Sequence, residues 1–144
     1  MIRRPILRRA FVAALASASL LVPAHTAPSA EAAEVSRQVC DHDWREGTWH
    51  IRQLIKCAAR RWDSPGTPAK AVQVAQCESH LNPRAYNGNG GYAGLFQQST
   101  RYWPGRAHRW GQPNRSVFNG RANIIVSIRM AGALGSWSAW GGCA

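Results

Sequence analysis

The sequence predicts a mainly α-helical, α+β domain, in which a compact set of helices carries a small β-like, glycine-rich loop that forms one wall of a cleft. Two observations support this class. Apolar residues recur with helical spacing in three segments between residues 48 and 134. Between the second and third of these segments, the sequence NGNGGY is too rich in glycine for a helix and favours a tight turn between short extended pieces.

The first 33 residues are expected to be a secretory signal peptide. Four arginines precede an apolar segment from Ala10 to Val22, and small residues at 24–33 offer a cleavage region. The apolar segment is too short for a stable membrane span. Two alternatives remain open: export by the twin-arginine route, against which Leu7 argues, and an uncleaved N-terminal anchor. We expect a secreted protein whose remaining part has the size of one domain with a single core.

Residues 34–66 are predicted to form an N-terminal helical extension. Thr48 is a plausible N-cap, and the sequence TWHIRQLIKCAARRW follows it. Its apolar positions fall on one helical stripe, which predicts an amphipathic helix packed on the domain; they are Ile51, Leu54, Ile55, Ala58 and Trp62. The turn-forming sequence DSPGTP then ends this helix.

A second helix is predicted from Pro68 to about His80, with Thr67 as its N-cap and Asn82-Pro83 as its stop signal. Four of its residues follow the spacing i, i+3, i+4 and i+7; they are Ala71, Val74, Ala75 and Glu78. The carboxylate of Glu78 therefore lies on the apolar stripe of this helix.

The last third of the chain predicts short helical turns followed by one central helix. Pro104 and Pro113 interrupt the first part. Asn119 can cap the segment GRANIIVSIRMAGALG, which is apolar on a broad face and should lie at the centre of the fold. Gly132 and Gly135 are candidate C-caps, and a tail with the sequence SWSAWGGC follows.

The cysteines form an even set in a chain expected to be exported, so disulfides are the default interpretation. Cys40, Cys57, Cys77 and Cys143 allow three pairings, and the sequence alone does not select one. We favour Cys40–Cys57 and Cys77–Cys143, because each bond would close one region. Zinc binding is disfavoured because there is no close Cys-x-x-Cys pair with matching histidine spacing. No metal and no cofactor are expected.

The charge of the chain favours anionic partners. The formal net charge is +11, and from Glu34 onward fourteen Lys and Arg stand against six Asp and Glu. Cell-wall polymers, anionic lipid and nucleic acid are all anionic. The basic residues occur singly or in pairs and not in a run, which argues against nucleic acid. We expect no nucleic-acid partner and a monomeric protein.

One carboxylate stands apart from the others. From Ser64 to the C-terminus, Glu78 is the only acidic residue. A glutamate on the apolar side of a helix should have a raised pKa, because burial disfavours its charged form. Such a group can stay protonated and act as a general acid. The alternative is a glutamate that faces solvent or pairs with an arginine.

Four segments, in this order and spacing, resemble the lysozyme-like soluble lytic transglycosylase domain. They are Cys77-Glu78-Ser79, then Tyr92 to Gln97, then the helix at 119–134, then the tail at 137–143. Within that superfamily the chain is most similar to small secreted cell-wall-cleaving proteins such as the resuscitation-promoting factors. The resemblance covers about residues 67–143 and defines the expected domain, 67–144.

The resemblance implies a lysozyme-like fold and a wall-associated enzyme that cleaves the MurNAc–GlcNAc β-1,4 bond of peptidoglycan with Glu78 as sole acid/base. Ser79 would orient Glu78 or hydrogen-bond nearby backbone. Residues from Gly94 to Gln97 would line the cleft, with Gln97 as a polar contact to sugar or peptide. A Cys77–Cys143 bond would hold the catalytic helix to the tail. Glycan strands and anionic wall polymers are the implied partners. Among the aromatic residues beside these motifs, Tyr92 and then Trp103 are the preferred sugar contacts.

Three alternatives to a transglycosylase stay open. The family's Ala-Tyr-Asn element after the long helix is replaced here by GSWSAW, which leaves a lysozyme-type hydrolase possible. A hydrolase would need a second carboxylate, for which the candidates are Asp41, Asp43, Glu46 and Asp63. The second alternative is a non-catalytic module that binds cell wall. The third is a cationic membrane-active protein, which fits the charge but not the motifs.

Overall fold

Within residues 40–144 the chain forms four α-helices. The structure is a computed structural model that describes residues 40–144; the predicted signal peptide and residues 34–39 lie outside this range. The helices are α1 (Thr48–Arg61), α2 (Pro68–Ser79), α3 (Trp103–Arg109) and α4 (Gly120–Leu134), with 3₁₀ helices at Trp44–Glu46 and Ser138–Cys143. Within the described range, no helix is long and apolar enough to cross a bilayer.

The caps of α2 and α4 confirm the predicted starts of these helices. The Thr67 side chain accepts a hydrogen bond from the Lys70 amide at 3.2 Å, and the Asn119 side chain accepts one from the Ala122 amide at 3.0 Å. At α1 the prediction was off by one residue. Gly47, with φ of +116°, takes the N-cap position, and Thr48 is the first helical residue.

A three-stranded antiparallel sheet confirms the short β excursion and extends it. Strands β1 (Tyr86–Asn87) and β2 (Tyr92–Ala93) flank the glycine-rich turn, with Tyr86 opposite Ala93. A third strand, β3 (Gln98–Ser99), pairs with β2 in the order β1-β2-β3 and had not been predicted. The mainly α, α+β class expected from the sequence is therefore confirmed.

Helix α4 lies at the centre of the main core, as its apolar sequence predicts. Ile124 and Ile128 are fully buried there, together with Phe96 from the glycine-rich segment. Apolar residues of α1 join the same core, so the N-terminal extension and the rest of the chain share it. A smaller cluster around Trp103 fills the space between α3 and α4.

One of the two predicted disulfides forms. Cys77 and Cys143 are bonded, which ties α2 to the C-terminal 3₁₀ helix. The predicted Cys40–Cys57 bond is absent: both residues are thiols, and the Cys40 thiol is hydrogen-bonded to Cys57. Burial, with Cys57 as a second cause, raises the pKa of Cys40 to about 12. Burial therefore keeps the Cys40 thiol in its neutral form.

Candidate active site

Glu78 occupies the last turn of α2 on the stripe that faces the domain. The neighbouring positions of this stripe, Ala71, Val74 and Ala75, are fully buried, and Glu78 itself is partly buried. Burial raises its pKa above the usual range for a glutamate. A larger proportion of the carboxyl groups is therefore protonated near neutral pH than in an exposed glutamate.

Two contacts hold this last turn against the rest of the domain. The disulfide joins residue 77 to the C-terminal 3₁₀ helix. Next to Glu78, the buried Ser79 hydroxyl donates to the Leu95 carbonyl at 2.8 Å, and the Ala75 carbonyl is a second acceptor at 3.2 Å. Ser79 thus links the turn that carries Glu78 directly to the segment Gly94–Gln97. The sequence expectation was that Ser79 orients Glu78 or bonds to nearby backbone, and this contact fits the latter.

The segment Gly94–Gln97 depends on a glycine at its start. Gly94 has φ of +79°, a conformation that side chains disfavour. A Cβ atom at this position would overlap the Asn123 amide and lie 2.5 Å from the Val117 carbonyl oxygen. Gly94 therefore permits the close approach of this loop to α4, which is a packing requirement and does not itself show contact with a ligand.

Asn123 of α4 is a site residue that the sequence analysis missed. It is fully buried, and its side-chain oxygen accepts a hydrogen bond from the Phe96 amide at 2.9 Å. Its amide group donates to the carbonyls of Val117 at 3.0 Å and Ala93 at 3.4 Å. One side chain thereby fixes the backbone on both sides of Gly94. The available signal was a lone amide within the apolar sequence of α4, because a buried amide must find partners.

The tryptophans of the tail support the same segment from the core side. The Trp140 indole donates to the Phe96 carbonyl at 2.8 Å. The Trp137 ring is stacked on Phe96 with 5.9 Å between ring centroids, and its indole donates to the Pro65 carbonyl at 2.9 Å. Both residues are buried, so they brace the loop and present no free face to a sugar.

The predicted contact residues differ in their access to solvent. Tyr92 on β2 is 44% exposed and is available to a ligand. The Gln97 amide donates to the carbonyls of Gly94 at 3.0 Å and Ala85 at 3.4 Å, so it contributes to the loop conformation. Trp103, predicted as a sugar contact, is only 6% exposed, and its indole donates to the Arg115 carbonyl at 2.7 Å. The apolar surface of its ring is used in the smaller core cluster.

A pair of exposed aromatic rings adjoins the sheet. Tyr86 of β1 is 62% exposed, and its ring lies 6.5 Å from that of Phe118, which is 38% exposed and precedes α4. Together with Tyr92 they offer amphipathic and apolar faces of the kind that contact sugar rings. Phe118 was not among the residues expected from the sequence.

Two of the candidates for a second carboxylate contact residues that are close to them in the sequence and well before α2. Asp43 accepts hydrogen bonds from the Arg45 amide at 3.0 Å and the Arg45 side chain at 3.2 Å, and these bonds lower its pKa. Glu46 lies 3.2 Å from the His50 ring nitrogen. Neither of these contacts includes Glu78, whose raised pKa has burial as its cause.

A cavity of about 400 Å³ lies near α2 but not beside Glu78. Its lining includes Gln73, Gln76 and Cys77 of α2 and the C-cap residue His80. They define the face of the helix roughly opposite the stripe of Glu78, because residues three, four and seven apart share one face. This cavity is therefore separate from the candidate active site.

Comparison with known proteins gives no match: no family model, no curated protein and no solved structure matches this chain.

Proposed function

We propose that this protein is a secreted lytic transglycosylase of lysozyme-like fold, which cleaves the β-1,4 bond between MurNAc and GlcNAc in peptidoglycan. The observation that carries the proposal is the setting of Glu78. It is a partly buried carboxyl group of raised pKa, and it is the only acid in the chain after Asp63. The turn that carries it is joined through Ser79 to the Gly-Leu-Phe-Gln segment.

The proposed reaction uses Glu78 twice. The protonated carboxyl group gives its proton to the glycosidic oxygen as the bond between this oxygen and the anomeric carbon of MurNAc breaks. The resulting carboxylate then takes the proton of the 6-hydroxyl of the same MurNAc, whose oxygen bonds to the anomeric carbon. The product is a 1,6-anhydro sugar, and Glu78 ends the cycle protonated, as general acid/base catalysis requires.

The single carboxylate favours this route over hydrolysis. Retaining and inverting hydrolases normally place two carboxyl groups on either side of the scissile bond. Here Glu78 is the only acidic residue after Asp63, and burial is the cause of its raised pKa. A nucleophile supplied by the substrate removes the need for the second group. The exposed rings of Tyr86, Tyr92 and Phe118 would then be the surfaces against which the glycan packs.

The proposal is tested by the release of soluble fragments from purified peptidoglycan by the protein and by Glu78→Gln. This substitution keeps the side-chain shape but removes the acid, so we expect release to fall by at least about a hundredfold, the usual contribution of general acid/base catalysis. The matched control is Asp63→Asn. Asp63 is exposed and has φ of +43°, a conformation that asparagine tolerates, so release should be unchanged. Equal release by the protein and Glu78→Gln would overturn the proposal.

A further inference from the structure

Arginine and aromatic side chains alternate across a surface that the candidate active site does not use. We call this surface the arginine ladder. It consists of two series of successive contacts between arginines and rings. The first series is Arg61, Trp62, Arg129, Trp110 and Arg109, and the second is Arg106, Tyr102 and Arg101. Each arginine has its guanidinium carbon 5.1 to 5.8 Å from the centroid of at least one ring, within the range of a cation–π contact.

Six of these contacts lie between residues 61 and 129, and three of them join arginines to rings that are not adjacent in the sequence. Arg129 links two segments, because its guanidinium lies over both Trp62 and Trp110 and donates to the Trp110 carbonyl at 3.2 Å. The two series meet at an open cavity of about 400 Å³, which is lined by Tyr102, Gly105, Arg106 and Arg109.

The five positive charges of the ladder are not neutralised within the domain. In the part of the chain that the structure describes, the ion pairs are Arg45–Asp43 and His50–Glu46, and neither involves a ladder arginine. Arg106 is also held in a fixed position. It donates to the Gln98 side-chain oxygen at 2.7 Å, and the Gln98 amide donates to the Ser127 hydroxyl at 2.8 Å, where both partners are buried. The ladder is therefore a partly preorganised cationic surface.

Gly105 of α3 leaves the cavity between the two series open. Glycine is a poor helix former, and a positive φ or close packing can require it at a helical position. Neither applies here, because the backbone of Gly105 lies outside the positive-φ region and a Cβ atom would meet nothing within 4 Å. The absence of a side chain leaves room beside Arg106 and Arg109.

The arrangement also indicates the chemistry of the ligand. Trp62 and Trp110 are partly buried and have arginines over their rings, so Tyr102, which is 56% exposed, is the ladder ring with the most free surface. One exposed ring gives a single place for stacking, whereas the surface presents five guanidinium groups, whose planar donors match the oxygens of phosphate. Five such groups, four of them on α1, α3 and α4 and one just before α3, exceed what one small anion can contact.

We propose that the arginine ladder binds a polyanionic chain of polyol units joined by phosphodiesters. The site goes beyond the proposed activity and does not depend on it, since no ladder residue belongs to the candidate active site. Binding at the ladder would hold the protein on a phosphate-rich polymer while leaving Glu78 free to act.

The test is the affinity for purified poly(glycerol phosphate), measured by calorimetry over a series of salt concentrations. Arg101→Gln/Arg109→Gln removes two ladder charges, while Arg60→Gln/Lys70→Gln removes two charges from α1 and α2. We expect the first variant to bind about tenfold more weakly and to lower the slope of log K against log salt by about 1.4, as for loss of two phosphate contacts. The control should change by less than about twofold. Equal weakening by both variants would overturn the proposal.

A variant that leaves the net charge unchanged separates the ladder from general charge effects. Gly105→Gln places a side chain in the cavity, where a Cβ atom meets nothing within 4 Å, and introduces a better helix former. We expect weaker binding of poly(glycerol phosphate) with no loss of thermal stability, and unchanged affinity would contradict the assignment.

Poly-L-glutamate and single-stranded DNA serve as comparison polymers at equal charge concentration. Binding of either one as tight as that of poly(glycerol phosphate) would overturn the assigned ligand chemistry.

Discussion

At the scale of single residues, the setting of Glu78 follows from where it lies on its helix. The spacing of Ala71, Val74 and Ala75 predicts the apolar stripe, and the structure confirms that these three residues are buried. A carboxyl group at the end of this stripe is partly desolvated, which raises its pKa. What the sequence could not supply is the residues around the glycine-rich loop. Asn123 and Phe118 become neighbours of this loop only when α4 packs against it.

The raised pKa of Glu78 predicts a pH-dependent stability. Its protonated form is favoured in the folded state, so the stabilising contribution is present below the ordinary glutamate pKa and is lost as the pH rises through the raised value. Glutamine does not ionise, so the Glu78→Gln variant does not lose stability in this way as the pH rises. The variant should therefore unfold at a higher temperature than the protein near pH 7, and the difference should shrink as the pH falls to 4. Thermal melts at several pH values measure this. A difference that does not change with pH would contradict the pKa shift.

The position of Gly94 predicts that adding a single methyl group there strongly lowers the stability of the protein. Gly94→Ala should lower the free energy of unfolding by about 2 kcal/mol or more, because alanine is disfavoured at positive φ and its Cβ would overlap Asn123 and the Val117 carbonyl. Gly142→Ala is the control, since its Cβ meets nothing within 4 Å and its φ is not positive. Chemical denaturation compares the two. Equal stability would show that the loop does not need glycine at position 94.

At the scale of secondary structure, helices were predictable where their end signals are local. Thr67 and Asn119 each cap a helix through one hydrogen bond to a residue three positions on, and a sequence contains that spacing. Strand β3 was not predictable, because two residues are too few for an alternating pattern and its pairing depends on β2. The Cys40–Cys57 bond was predicted from spacing alone, and the structure has these two residues as hydrogen-bonded thiols.

The disulfide between α2 and the tail predicts a large loss of stability when it is removed. Cys77→Ser/Cys143→Ser should lower the free energy of unfolding by about 4 kcal/mol, the loop-closure contribution for a separation of 66 residues. A reductant should destabilise the protein to a similar degree but leave the double variant unaffected.

Thiol labelling in denaturant without reductant should find Cys40 and Cys57 reactive. Four protected cysteines would show that the second bond forms after all.

At the scale of the whole molecule, the proposed site and the arginine ladder both join distant parts of the chain. Ser79 reaches Leu95, Trp140 reaches Phe96, and Arg129 lies between Trp62 and Trp110. The order of the sequence motifs indicated that the segments joined by the first two contacts lie close together, because the resemblance linked these segments. Nothing in the sequence indicated the ladder beyond an excess of basic residues, since its members are separated by up to 68 positions.

The central claim is that Glu78 works without a second carboxylate, and the mass of the reaction product tests it most directly. Mass spectrometry of the muropeptides released from purified peptidoglycan should find products lighter by one water than those of hydrolysis. These 1,6-anhydro products should be absent with Glu78→Gln. Hydrated reducing ends released by the protein and lost in the variant would contradict the claim and indicate a hydrolase.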